Sequence, residues 1–156
     1  MFEEFLWVAG GADRDVLKST EKFGVFSEVW ESGPQLIIAR QEAPVVRTSS
    51  GLWIIGGKNS ENEVLTSVEF LSSKSAAKDS IKLRNRNESK SQNFQEATPL
   101  PLAMEGLSAT VINNIVYLSG TSVKTQLSTI LQFDGKSWNP AGKLLNPRYS
   151  AKGNIN

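Results

Sequence analysis

Two arginines stand ten residues beyond a tryptophan: Arg40 after Trp30, and Arg148 after Trp138. A guanidinium offers a planar fork of N–H donors and grips carboxylates or phosphates through charge-assisted bonds. Arg14, Lys58 and Lys124 each follow shortly after a glycine that ends an apolar run. Five cations therefore recur at comparable places along the chain. The two arginines can instead brace the fold by bonding loop carbonyls, and the sequence leaves both roles open. Other chemistry is narrowed by omission, because the 156 residues contain neither histidine nor cysteine. That excludes His-based acid–base work, Ser-His-Asp and Cys-His nucleophiles, and His/Cys zinc sites. Carboxylate, lysine, tyrosine and carbonyl chemistry remains. A hydrolase or lyase would have to draw on dispersed carboxylates and on Tyr117 or Tyr149.

The elements that must carry these cations are repeated. Leu6-Trp7-Val8-Ala9-Gly10-Gly11, Leu52-Trp53-Ile54-Ile55-Gly56-Gly57 and Val116-Tyr117-Leu118-Ser119-Gly120-Thr121 share one pattern, with an aromatic three residues before a glycine. Phe23 and Phe133 each lie 13 residues after that glycine, and Leu71 lies 15 after Gly56. A third landmark is aromatic: Trp30, Phe94 and Trp138. From Trp30 to Gly56 and from Phe94 to Gly120 the distance is 26 in both cases. The period from Gly10 to Gly56 is 46, and that from Gly56 to Gly120 is 64. The excess lies between Leu71 and Phe94, where removing roughly 16–18 residues restores a period of about 46–48.

On these residues the chain resembles the kelch-repeat family. That pattern runs from a Pro-Arg before a small-residue strand, through an apolar–aromatic strand ending in Gly-Gly, to a strand with a Tyr-like residue and then Trp. Asn146-Pro147-Arg148-Tyr149-Ser150-Ala151, Trp53–Gly57, Thr20–Phe23 and Trp30 fill the slots. Thr121, Phe94, Leu71 and Met104 depart from it. The resemblance implies an all-β, kelch-type β-propeller, partial, with about three four-stranded antiparallel blades, whose strands run A to D in chain order (in blade two near Ala43–Thr48, Leu52–Gly56, Thr66–Leu71 and around Phe94). Residues 5–36 are expected as blade one without its own strand A, 37–100 as blade two, 101–145 as blade three, and 146–156 as strand A of a following blade. Gly10, Gly11, Gly56, Gly57 and Gly120 are expected to end strands where a Cβ would obstruct the chain. Trp30 and Trp138 are expected as wedges between blades, with Phe94 as the equivalent landmark of blade two. Propellers have about 4–8 blades, so three call for further blades or for self-association.

Strand alternation puts the B–C and D–A loops at one end of the blades and the A–B and C–D loops at the other. Arg14, Arg40, Lys58, Lys124 and Arg148 are thereby expected on one rim. In kelch proteins that grip acidic peptides, arginines in these slots make the contact, so the resemblance implies a protein partner with an acidic or phosphorylated segment. An interaction module, as scaffold or adaptor, is favoured over an enzyme. No cofactor or metal is expected.

The composition agrees with that class. Seventeen basic against sixteen acidic residues leave a net charge of +1, with no excess to drive nucleic-acid or membrane-surface binding. No apolar run approaches the roughly 20 residues of a membrane span. Glu3 and Glu4 stand where a signal peptide carries positive charge. A cysteine-free chain suits a reducing, cytoplasmic setting. Residues 72–93, rich in Ser, Lys, Arg and Asn, read as a disordered insertion. Asn87-Glu88-Ser89 inside it is a formal glycosylation sequon. Asp134-Gly135 reads as a turn leading to Trp138.

Overall fold

The computed structural model describes residues 4–73 and 93–146. Among them are eleven strands and no helix, grouped in three antiparallel sheets. The first sheet contains β1 (Phe5–Ala9), β2 (Thr20–Gly24) and β3 (Trp30–Ser32). The second contains β4 (Val45–Arg47), β5 (Gly51–Ile55), β6 (Val68–Ser72) and β7 (Gln95–Ala97). The third contains β8 (Met104–Ile112), β9 (Ile115–Ser122), β10 (Ser128–Phe133) and β11 (Trp138–Lys143). Each sheet is a meander in which strands adjacent in sequence pair in space. The architecture is propeller-like, with each sheet forming one blade.

The apolar pattern explains why the sheets stack. Side chains alternate faces along a strand, and a blade between two others must be apolar on both. In β5 every residue is buried. Leu52 and Ile54 join Leu36, Leu71 and Phe94 in a cluster on which Trp7 and Ala9 of β1 pack. Trp53 and Ile55 join Val68, Met104, Val116, Leu118, Leu131 and Phe133 on the other side. One strand thus faces blade one with its even-numbered residues and blade three with its odd-numbered ones. Each such side chain fully buried contributes about 1.5–3 kcal/mol.

The glycine landmarks split into two kinds. Gly56 and Gly57 lie just past β5 at φ of 57° and 88°, in the left-handed region that side chains disfavour. A Cβ on Gly57 would also lie 2.4 Å from the carbonyl oxygen of Gln41. Gly120, expected to end its strand, does not, because β9 runs through it to Ser122. Where Gly57 makes the second left-handed residue, Thr121 is β-branched and stays extended. Gly120 is a close-approach glycine instead, with Leu107 only 2.7 Å from a would-be Cβ.

The tryptophans differ as well. Trp138 wedges between blades as expected, stacked 4.7 Å from Phe133, and its Nε1–H donates to the Thr98 carbonyl at 3.0 Å. Phe94 is buried against blade one. Trp30 is 50% exposed, against the expectation of a buried wedge. Its ring meets Phe23 of its own sheet at 5.2 Å, and among the described residues no blade covers its outer face. Ser72, expected in the insertion, closes β6, and the Ser73 N–H donates to the Ser50 carbonyl. The remainder of that insertion, including Asn87, lies outside the described residues. So do Arg148, Tyr149 and the strand-A-like run around them.

Candidate functional site

Of the expected cationic rim, Arg40 is withdrawn into the fold and fully buried. Its Nη2 meets Glu69 Oε1 at 2.6 Å, and its Nη1 donates to the carbonyls of Gly56 (2.8 Å) and Ser67 (3.0 Å). Nη2 also reaches Ser67 Oγ at 3.0 Å. Glu69 in turn accepts the N–H groups of Ile37 and Ile38, at 2.7 and 3.0 Å. The pair ties the D–A crossover onto blade two, so Arg40 braces the fold and offers no donor to a partner. Burial pulls its pKa below the usual guanidinium value, and the Glu69 charge only partly offsets this.

Lys58 is also engaged within the chain. Its ammonium sits 3.3 Å from Glu42 and 3.4 Å from Glu105 of β8, linking blades two and three. Partial desolvation opposes its charge, but bonds to the two carboxylates outweigh that and raise its pKa. Arg14 and Lys124 are exposed, each in the B–C loop of its own blade. Of the five cations, the structure leaves these two open to a partner on that rim, and Arg148 lies outside the described residues.

The opposite rim carries a groove of about 320 Å3 between blades two and three. Its floor is aromatic. Trp53 of β5 lies 4.2 Å from Phe70 of β6 and 5.0 Å from Phe133 of β10, tilted on the first and edge-on to the second. Val116 completes the apolar lining. The Trp53 indole N–H donates to Thr48 Oγ1 at 2.9 Å, which fixes the ring, and that hydroxyl lies 2.8 Å from Ser50 Oγ. Asn114, at φ 67° in the β8–β9 turn, accepts the Ser49 N–H at 2.7 Å and joins the two blades across the mouth.

Asp134 and Gly135 form the far lip. The Asp134 carboxylate accepts the N–H groups of Ser137 and Lys136, at 2.9 and 2.8 Å, and these hold its pKa below the usual carboxylate value. The lip therefore carries a fixed negative charge at neutral pH. Tyr117, considered above for catalysis, is next to Val116 on β9 and so faces the other side of that sheet. A second, smaller groove of about 170 Å3 lies between blades one and two at the same end, lined by Phe5, Trp7, Arg47, Leu52 and Leu71.

Trp7 and Trp53 occupy the same repeat position, and each lines one groove. The groove residues Thr48, Ser50, Asn114 and Arg47 went unnoticed in the sequence because short polar turns have no distinctive pattern. Their signal was positional, as turns bracketing the strand that bears the aromatic. Among the described residues no cluster of three acidic, His or Cys side chains could hold a metal ion. Among the described residues no helix is long and apolar enough to cross a membrane.

No family model matches the chain, and no curated protein does. Among solved structures it is similar to one titled "Structure of YjhT", at a TM-score of 0.63 and 15% identity. The match covers 86% of this chain and 41% of that one, so the chain spans less than half the length of the structure it resembles. At this identity the likeness is one of fold.

Proposed function

We propose that the chain is a kelch-type propeller segment that works as a protein-interaction module and receives a peptide segment in the groove between blades two and three. The observation that carries this reading is the convergence of three rings, Trp53, Phe70 and Phe133, at the floor of an open groove with a polar mouth. Apolar clefts with a few placed polar groups are the usual form of a binding site. The repeat offsets and the propeller-like sheets support the kelch assignment.

The groove's chemistry favours a particular partner. Its floor takes an apolar or aromatic side chain. The hydroxyls of Thr48 and Ser50 and the Asn114 amide offer hydrogen bonds to peptide backbone, and Asp134 at the lip favours a neighbouring Lys or Arg. This reverses the charge implied by the family resemblance, and Arg40, one of the arginines expected to grip an acidic peptide, is consumed in bracing. The reading as a hydrolase or lyase wants two acids at one site, and this groove is lined by one carboxylate, Asp134.

Selection from a random-peptide display library on the immobilised chain tests the proposal. Peptides with an apolar residue beside a basic one should emerge and should lose binding to a Phe70→Ser variant. Enrichment of acidic peptides that bind Phe70→Ser undiminished would overturn it.

A further inference from the structure

The two grooves at this end of the blades share one wall. Adjacent residues along blade two divide between them. Thr48, Trp53 and Phe70 line the groove between blades two and three, and Arg47, Leu52 and Leu71 line the one between blades one and two. Side chains alternate faces along a strand, and the register sets Arg47 opposite Leu52, Leu52 opposite Leu71 and Trp53 opposite Phe70. Blade two is therefore a partition with one groove on each face, and the turn at 48–51 is its crest. That crest is tied down. The Thr48 N–H donates to the Gly51 carbonyl at 2.9 Å, and the Ser50 and Ser49 carbonyls accept the N–H and the hydroxyl of Ser73, at 2.8 and 2.9 Å. Gly51 lets the turn close onto β6, because a Cβ there would run into the Leu71 carbonyl and lie 2.7 Å from the Phe70 ring.

Both grooves are aromatic, and they differ in charge. Trp53, Phe70 and Phe133 line the larger, with Asp134 at its lip. Phe5 and Trp7 line the smaller, with Arg47 beside them. Arg47 is exposed and makes no ion pair among the described residues. Facing sheets pack about 10 Å apart, so grooves on the two faces of one blade lie roughly 10 Å from centre to centre. A polyproline II segment rises about 3.1 Å per residue with three residues per turn. Its side chains i and i+3 leave on the same side, about 9 Å apart. A β-strand sends i and i+3 to opposite sides, and its i and i+2 lie only about 6.6 Å apart. Prolines also lack the N–H, so such a segment shows mainly carbonyls to the crest, where the Ser50 hydroxyl stands.

Given peptide recognition in the groove between blades two and three, as proposed above, we infer that the ligand is a polyproline II-type segment that crosses the turn at 48–51 and fills both grooves. Apolar side chains i and i+3 enter the two grooves. A basic residue flanks the first beside Asp134, and an acidic residue flanks the second beside Arg47. Aromatic-lined grooves are the usual receivers of such segments, and the opposite charges at the two ends fix which end of the ligand lies in which groove.

Isothermal titration of the 156-residue chain with the end-blocked hexapeptide Lys-Leu-Pro-Pro-Leu-Glu tests this. Arg47→Glu and Asp134→Lys should each weaken binding by about tenfold or more; both positions are exposed, so the fold should survive. Replacing the peptide's glutamate by lysine should restore binding to Arg47→Glu. Two further prolines in the spacer put the leucines five apart and off the common face, and should cost about tenfold on the unaltered chain. A loss from one charge change alone overturns the bridge: from Asp134→Lys alone it leaves the single-groove reading standing, and from Arg47→Glu alone it moves the site to the smaller groove. Indifference to both changes overturns both readings. No binding of the hexapeptide also overturns the bridge, and the display selection then decides the single-groove reading by itself.

Discussion

Replacing Arg40 by Met and Glu69 by Leu imports into blade two the pair that blade three already uses, Met104 and Leu131, both buried. The single changes and the double should differ sharply. Arg40→Met leaves a carboxylate in a site 1% exposed, still bonded to the Ile37 and Ile38 amides but without its counter-charge. Glu69→Leu leaves a guanidinium fully enclosed, with three remaining contacts to Gly56 and Ser67 and with Nε unpartnered. Breaking a buried pair from one side costs about 3–5 kcal/mol.

The double change removes both charges, and apolar replacement of such a pair is often neutral. Here it also orphans the Ile37 and Ile38 amides and the Gly56 carbonyl, at about 1–3 kcal/mol for each that stays dry, while the Ser67 carbonyl keeps the Gly56 N–H. The double variant should therefore remain destabilised, yet fall short of the summed singles by about 2 kcal/mol or more. Urea unfolding followed by tryptophan fluorescence reads all four stabilities. Additive singles would refute the reasoning, because Arg40 and Glu69 would then act on the fold independently.

Other outcomes are expected from the same geometry. Gly57→Ala should cost about 1–3 kcal/mol of backbone strain and must also displace the Gln41 carbonyl, whereas Gly135→Ala, with open space around it, bears the strain alone; thermal melts of the two compare them directly. Thr48→Val should cost about 1–3 kcal/mol by stranding the Trp53 indole donor, read by urea midpoint, while Thr48→Ser should be milder. The Asp134 turn should loosen in acid: its folded-state pKa is depressed, so its contribution is present above the ordinary value of 3.8 and is lost as pH falls through the lower folded value. Amide shifts of Lys136 and Ser137 followed by NMR should titrate below 3.8, and a midpoint at or above it would contradict the bonding.

The coarse fold was legible because it rests on periodicity. Alternating apolar residues before each glycine marked β1, β5 and β9, and the shared offsets marked three like units. Gly120 was misread because a glycine landmark does not say whether φ or close packing demands it, and its neighbour Thr121 decides. Trp30 was misread because burial belongs to the neighbouring blade and not to the residue. A landmark at the first blade looks the same in sequence whether or not something stands beside it.

The site was less legible. A cation ten residues past a tryptophan reads alike as a partner's ligand or as an internal brace. The buried glutamate that settled the matter for Arg40 lies 29 residues away, in a strand reached only through the fold. The groove residues come from three turns and four strands of two sheets, and no local motif unites them. Asp134 was visible as a turn former, but its place at the lip of a groove depends on blade three standing beside blade two.

The proposed recognition site is the Trp53–Phe70–Phe133 groove and not the opposite, cationic rim. The most direct measurement is the affinity of one selected peptide for three forms of the chain: unaltered, Asp134→Lys, and Arg14→Ala with Lys124→Ala. All three positions are exposed, so the fold should survive each change. The groove reading expects Asp134→Lys to weaken binding by about tenfold or more and the paired rim change to leave it unaltered. Loss of binding on the rim change, with Asp134→Lys indifferent, would contradict the claim and return the site to the cations.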